Sequence, residues 1–296
     1  MLRYVGLCMI TTFDKKEWEV SPLHLLAHIP QPPEKLYFEG ALPAPELTLL
    51  AVVGSRRYSS YGKQVVNDLI EGLRSYPIGI VSGLARGIDG LAHEAALSAG
   101  LYTLAVPGSG LDRSVMYPRC HRGLADRIVT SGGGLLSELS PSTKAARWTF
   151  PQRNRLMAGV STATLLIEAT ERSGTLITAR MAVDYNRELL VVPGSIYSEN
   201  SLGVHQFLKL GATPVTTSDD IITTLNLTRQ SSPEKPDLSS FSQEAQITLT
   251  ALKTPTDLDT LSQQTSLPPS ILTVTLMQLE IEGYVRQENG YYHRRV

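Results

Sequence analysis

The sequence predicts an α/β fold built on a mostly parallel sheet with helices on both faces, followed by a small domain of three helices and a hairpin. Two observations carry this. Short apolar runs recur along the middle of the chain, each ending in a Gly/Ser-rich turn that leads into a helical pattern. After a polar stretch with two prolines, the chain from Phe241 onward switches to amphipathic helical segments and then to a strand, an Asn-Gly turn and a strand. Right-handed crossovers lay the middle strands parallel, so their carboxyl ends and Gly/Ser turns share one edge. A rim suited to anions is expected there.

Residues 1–45 read as a short lead-in, because His28-Ile-Pro-Gln-Pro-Pro33 forbids continuous helix. Within it, Leu36 to Gly40 has the pattern of an edge strand reaching the main sheet. The main domain is expected over residues 46–225. Leu49 to Val53 ends in Gly54-Ser55-Arg56, and Ile78 to Val81 ends in Ser82-Gly83, with Arg86 and Gly87-Ile88-Asp89 opening an Ala-rich helix. Tyr102 to Val106 ends in Pro107-Gly108-Ser109-Gly110. Ile128-Val129 reads as a strand ending in Ser131-Gly132-Gly133-Gly134. Thr164 to Ile167 leads to Glu168-Ala169 and Ser173-Gly174-Thr175, and Glu188 to Val192 leads to Pro193-Gly194-Ser195. One such turn is ordinarily a plain connection; their repetition makes the case for a ligand. Glycines let something approach the backbone, hydroxyls donate, and helix starts offer unpaired N–H groups.

Bulk properties exclude several classes. With 42% hydrophobic and 19% charged residues among 296, the composition is ordinary for a folded chain. No run is apolar enough to span a bilayer, and the amino terminus lacks a secretory pattern, so a cytoplasmic location and no membrane partner are expected. Cys8 and Cys120 stand alone, without CxxC or clustered histidines, so neither a disulfide framework nor a metal site is expected. Net charge is −1 overall. Residues 46–225 carry 17 basic against 15 acidic side chains, whereas residues 241–296 carry 4 against 6, so positive charge concentrates in the main domain.

Basic residues there cluster near the turns: Arg56, Arg57, Arg86, Arg113, Arg119 and Arg172, with Lys144, Arg147, Arg153 and Arg155 around Phe150-Pro151-Gln152-Arg153-Asn154-Arg155. Arginine suits bidentate phosphate contact, and an aromatic ring beside it offers a base a stacking face. The bland readings are a core ring for Phe150 and a solvated surface for the arginines. In an extended segment Arg153 and Arg155 share a face, and in a helix they diverge; the alternative to two phosphate contacts is that one of them pairs with Glu168 or Asp89 and braces the rim. Leu202 to Leu210 gives an apolar helical face through Val204, Phe207, Leu208 and Leu210 that fits either a core helix or an interface.

Residues 226–240, with two prolines and no periodicity, read as a linker. Residues 241–296 then contain helices over Glu244–Leu252, Asp257–Thr265 and Pro268–Glu282 and a hairpin over Tyr284–His293, the order of a winged helix-turn-helix. Such domains commonly read duplex DNA. The third helix, however, has Glu280 and Glu282 and no Lys or Arg, which favours a protein-binding or regulatory use. The sequence lacks GxxxxGK[ST], GxGxxG, GxSxG, HExxH and CxxC. His93, on the apolar helix after Asp89, reads as structural. No catalytic residues and no cofactor are expected.

Taken in order, Gly54-Ser55-Arg56, Ser82-Gly-Leu-Ala-Arg-Gly-Ile-Asp89 with His93, Gly108-x-Gly-Leu-Asp112, Tyr117-Pro118, Phe150-Pro-x-Arg-Asn-Arg155, Glu168-Ala169, Ser173-Gly-Thr-Leu-Ile-Thr-Ala179, Pro193-Gly-Ser195 and Gly211-Ala212 resemble the bacterial DprA/Smf family. The resemblance covers the whole middle domain. It implies an extended Rossmann-like domain that binds and protects single-stranded DNA, forms a homodimer and helps load RecA during natural transformation, together with a carboxy-terminal winged helix and no enzymatic activity. With the Gly/Ser turns and the basic and aromatic side chains near them, the DNA contacts are expected on Gly54, Ser55, Arg56, Ser82, Gly83, Arg86, Gly108, Ser109, Gly110, Lys144, Phe150, Arg153, Asn154, Arg155, Arg172, Ser173, Gly174 and Thr175. Two departures stand out: the amino-terminal SAM-like domain frequent in the family is truncated or absent, and the Asp112–Tyr117 spacing is longer than usual. The alternative reading is a nucleotide-binding or nucleotide-processing protein of the lysine-decarboxylase-like, phosphoribohydrolase type. Those proteins carry PGGxGT, and Ser173-Gly174-Thr175 lacks the double glycine.

Overall fold

The computed structural model describes residues 9–229, 241–252, 256–281, 284–288 and 290–294. The chain divides into two units, one up to Gln230 and one from Ser231. The first contains a nine-stranded sheet. It opens with β1 (Thr11–Asp14), the one-turn α1 (Lys15–Trp18), a 3₁₀ turn (His24–His28) and β2 (Lys35–Gly40). Seven parallel strands follow: β3 (Thr48–Val53), β4 (Ile78–Ser82), β5 (Tyr102–Ala105), β6 (Gly134–Ser137), β7 (Ala163–Leu166), β8 (Glu188–Val191) and β9 (Thr213–Pro214). Between them lie α2 (Ser60–Glu71), α3 (Ile88–Ser98), α4 (Arg122–Thr130), α5 (Thr149–Val160), α6 (Thr175–Asp184) and α7 (Glu199–Lys209), and α8 (Ser218–Thr224) closes the unit.

The spatial order is β1-β2-β6-β5-β4-β3-β7-β8-β9. From β3 the chain steps outward to β6, then returns to place β7 on the other side of β3, with Leu50 opposite Ala163 and Val53 opposite Leu166. The crossover direction therefore reverses between β3 and β7, which opens a crevice at their carboxyl ends. Alternation along β3 feeds both cores. Ala51 and Val53 join Leu156, Met157 and Leu176 on one face, while Leu50 and Val52 join Val66, Ile70, Ala92 and Ala96 on the other.

Several features differ from the sequence reading. The lead-in is part of the main core: Trp18, Leu23, Leu26 and Ile29 are buried in the same cluster as Leu156 and Val160. Strand β2 is not an edge, since β1 pairs antiparallel on its outer side and β6 antiparallel on its inner side. Ile128-Val129 belongs to α4, where Leu124, Ala125 and Ile128 bury one helical face; the strand is Gly134–Ser137, beginning where the glycines end. In the Asp112–Tyr117 loop, Met116 N donates to Asp112 O at 3.0 Å and the Met116 side chain fills the core beside Leu111 and Leu124. On α7, Val204 and Phe207 are core residues, whereas Leu202 and the following Leu210 are exposed. Of the expected linker, Asn226 to Arg229 is described, with Leu227 packed against the second core; the remainder lies outside the described residues.

The second unit has α9 (Gln243–Ala251), β10 (Thr256–Asp257), α10 (Leu258–Thr265), α11 (Pro269–Ile281), β11 (Val285–Glu288) and β12 (Tyr291–Arg294). The strands order as β10-β12-β11, and the helices close over Leu249, Leu261, Leu272, Leu276 and Leu279. This is a winged helix. Ser242 and Asp257 cap α9 and α10 by accepting from Ala245 N and Thr260 N.

Candidate functional site

A cavity of about 730 Å³ opens at the β3/β7 crevice. Its walls are the loop after β3, the start of α5, the loop before α6 and the start of α7. Hydrogen bonds tie these walls together. Thr175 Oγ1 donates to Gly54 O at 3.0 Å, and Asn200 Nδ2 donates to Arg57 O at 3.1 Å. Ser55 Oγ accepts from Arg57 N at 3.0 Å, which folds the Gly54-Ser55-Arg56 turn so that Arg56 and Arg57 project outward, exposed. At the mouth, the Arg56 guanidinium lies 5.3 Å from the ring centroid of half-buried Phe150, and Tyr117 meets that ring edge-on at 5.6 Å.

Half of the expected contacts converge here: Gly54, Ser55, Arg56, Phe150, Arg153, Asn154, Ser173, Gly174 and Thr175 all line the cavity. Their roles differ. Arg153 is buried and donates to Gly83 O and Val106 O, both at 2.5 Å, while its Nε donates to Asn154 Oδ1 at 3.1 Å. Burial holds its guanidinium down to about 10, opposed by attraction to Asp89. Burial likewise raises the Asp89 carboxyl, an effect Arg153 opposes. Arg153 therefore braces two strand ends and is not free for a phosphate. Arg155 is held by Glu138 and by Gln31 O, to which it donates at 2.5 Å. Because Phe150 to Arg155 is helical, within α5, the two arginines point to different partners.

Other expected contacts are also engaged internally. Ser82 Oγ donates to Val52 O at 2.7 Å, and Ser109 Oγ to Gly110 O at 3.0 Å; both residues are fully buried. Gly83 is small because Arg153 packs on it, Gly108 because Phe150 does, and Gly110 because the Ser140 and Pro141 carbonyls do. These glycines admit the protein's own groups, not a ligand. Gly174 is different: a Cβ there meets nothing within 4 Å, so its open side faces the cavity that it lines. Arg86, Lys144 and Arg172 are exposed and lie outside the cavity lining.

The helix starts divide in the same way. Glu168 accepts from Ser59 N at 3.0 Å and from Ser59 Oγ at 2.5 Å, so a carboxylate already occupies the amino end of α2. The amino end of α6, at Ser173-Gly174-Thr175, faces the cavity. Sequence reasoning passed over Arg57, Asp89 and Asn200 as cavity residues. Asp89 sat in a motif already marked, whereas Asn200 had no local signal. Leu84, buried with φ +55°, holds the loop after β4 in the left-handed region, and its carbonyl is 2.8 Å from His121 Nδ1. Among the described residues no group of three or more His, Cys, Asp or Glu is arranged to hold a metal, and no helix is long and apolar enough to cross a membrane.

Fold and site define a doubly wound α/β protein with an arginine- and aromatic-edged cavity at its switch point, carried in one chain with a winged helix. Family models sharpen that class: DNA recombination-mediator protein A matches residues 9–226 and the DprA winged helix domain matches residues 229–291. The chain belongs to the DprA/Smf family. It is 36% identical over 286 residues to Protein Smf of Escherichia coli, covering 93% of this chain and 75% of the relative. It is 40% identical over 209 residues to DNA processing protein DprA of Streptococcus pneumoniae, covering 71% of each. The X-ray structure of the pneumococcal DprA superposes with a TM-score of 0.67 at 36% identity, over 72% of this chain and 74% of that one. DNA processing protein A of Helicobacter pylori, whose structure was described for its single-stranded DNA binding mode, superposes at 0.64 and 27% identity, over 74% and 96%.

Proposed function

We propose that this chain binds single-stranded DNA at the β3/β7 crevice, with phosphates held by Arg56, Arg57 and the Ser173-Gly174-Thr175 turn and a base seated against Phe150. The observation that carries this reading is the Arg56–Phe150 pair at the mouth of a cavity that a helix amino terminus faces. A cation beside an aromatic ring serves any nucleotide, because every one has a phosphate and a π-face, so little base preference is expected. The Helicobacter relative's single-stranded DNA binding supports the same substrate class.

The reading includes no chemistry on the strand. Thr175 Oγ1 and Ser55 Oγ donate to backbone carbonyls, and Asp89 sits in the field of Arg153, so the cradle presents groups already committed to holding its shape. No cofactor enters it. Transfer of the strand to RecA, protection of incoming DNA in natural transformation, a cytoplasmic location and a homodimer complete the proposal and rest on family membership. Exposed Ile196, Leu202 and Leu210 lend the dimer an apolar surface. The test is a fluorescence-anisotropy titration of labelled oligo-dT beside a blunt duplex of equal length in one buffer. Much tighter binding of oligo-dT is expected; equal affinity for the two overturns the reading.

A further inference from the structure

Trp148 is 59% exposed, an uncommon position for the largest apolar side chain, and nothing in the cradle uses it. It stands two residues before Phe150, at the amino-terminal boundary of α5. The loop that displays it is pinned. Thr149, fully buried, donates from Oγ1 to Gly108 O at 2.6 Å, and the same oxygen accepts from Ala146 N at 3.1 Å. Lys144 and Arg147 precede the ring by four residues and by one, both exposed and with no ion pair among the described residues. Tyr117, 46% exposed, contacts Phe150 on the adjoining loop. An indole fixed at its backbone, with two unpaired cations beside it and an aromatic pair next along the chain, has the makings of a stacking platform.

We infer that Trp148 is a second base-stacking position for single-stranded nucleic acid, outside the cradle, with Lys144 and Arg147 neutralising the phosphates that reach it. This rests on the proposed DNA-binding function and extends it by one element outside the cradle. It also gives a role to Lys144, which lies outside the cavity lining.

Trp148 supplies its own reporter. The chain has two tryptophans, and Trp18 is fully buried, so emission open to acrylamide belongs to Trp148. Saturating oligo-dT should quench that emission and shield it from acrylamide, and the signal should vanish in the full-length W148F variant. In anisotropy, Trp148→Ala should weaken oligo-dT binding by about tenfold with an unchanged salt slope, while W148F, which keeps a ring, should stay within about threefold of the parent. Unfolding curves should match the parent, since the side chain is mostly outside the core. If the parent binds oligo-dT tightly while indole emission and the affinity of Trp148→Ala are unchanged, the inference is wrong and the cradle reading stands. If the parent binds no oligo-dT, the cradle reading fails first. A changed sedimentation coefficient for Trp148→Ala with unaltered oligo-dT affinity would assign the ring to a protein contact and overturn the proposal.

Discussion

Arg56 holds its guanidinium 5.3 Å from the centroid of the Phe150 ring, so the cation and the aromatic proposed to grip one nucleotide already touch each other. Their substitutions should leave different signatures. Phe150→Ala should cost about 1–3 kcal/mol of oligo-dT affinity with little change in the slope of log K against log salt. Arg56→Ala should lower affinity and flatten that slope by about 0.7, the value for one phosphate on a single strand. The double variant should lose less than the sum, by about 0.5–1 kcal/mol, because each single change also removes the cation–π contact. Strict additivity in anisotropy titrations would separate the two residues functionally.

The Phe150 ring depends on Gly108. A Cβ at Gly108 would lie 2.6 Å from Phe150 Cδ1, so Gly108→Ala must push the ring off its seat beneath Arg56. Oligo-dT affinity should fall although no charge changes, the salt slope should stay as in the parent, and a loss of about 1 kcal/mol or more is expected from one disturbed stack. Full affinity in a folded Gly108→Ala variant would show that the ring's position is irrelevant to binding.

What the sequence revealed and concealed divides along contact range. Apolar runs ending in Gly/Ser turns located β3, β4, β5, β7 and β8 because strand and turn signals are local. The reason for each glycine was hidden, since its partner is remote: Gly83 answers to Arg153 and Gly108 to Phe150. Ile128-Val129 misled because two β-branched residues score as strand, while the helical partners Leu124 and Ala125 decide the outcome through packing. Trp18, Leu23, Leu26 and Ile29 are too irregularly spaced to signal a core, and only the folded sheet collects them. Half of the expected site survived as cavity lining because the motifs sit at strand ends. The split between bracing and accessible arginines required the α5 geometry.

That split is testable through stability. Arg153→Ala leaves Asp89 buried without its cation and should cost about 3–5 kcal/mol in urea unfolding. Arg155→Ala removes the Glu138 pair, both side chains being about one-tenth exposed, and should cost about 1.5–3 kcal/mol. Exposed Arg56→Ala and Arg172→Ala should unfold as the parent does. The pH dependence follows from Asp89. Its carboxyl is already raised by burial, and losing Arg153 raises it further. A raised acid stabilises the fold below its unfolded value and loses that contribution as pH climbs through the folded value. Arg153→Ala should therefore lose stability relative to the parent more in neutral buffer than in acid.

His93 gives the opposite slope. Thr103 Oγ1 donates to Ile80 O, so it must accept from His93 Nδ1 at 2.7 Å, which places a proton on Nδ1. Burial first, and then His121, depress His93 to about 3. A depressed group contributes stability that is present above its unfolded value near 6.5 and is lost as pH falls toward the folded one. Between those limits the parent should lose up to about 1.4 kcal/mol per pH unit through this residue. His93→Gln, which keeps a donor for Thr103 and cannot titrate, should show a correspondingly shallower decline. Identical acid limbs in urea unfolding would place the titration elsewhere.

Deleting residues 241–296 should leave most oligo-dT affinity in place. The two units bury separate cores, with Leu249, Leu261, Leu272, Leu276 and Leu279 in one and the clusters around β3 in the other, so the first should fold without the second. The deleted segment carries 4 basic against 6 acidic side chains, and α11, the helix that would enter a major groove, has no Lys or Arg. Its exposed large hydrophobics, Ile271, Val274 and Met277, have nothing to offer a phosphate, and the one charged side chain it exposes is Glu280. Counterion release on binding should therefore come from the first unit, and the salt slope of the truncated protein should equal that of the full chain. If the truncated protein keeps its unfolding midpoint but loses both affinity and slope, the phosphate contacts belong to the winged helix, and the cavity at the β3/β7 crevice is not the principal DNA site.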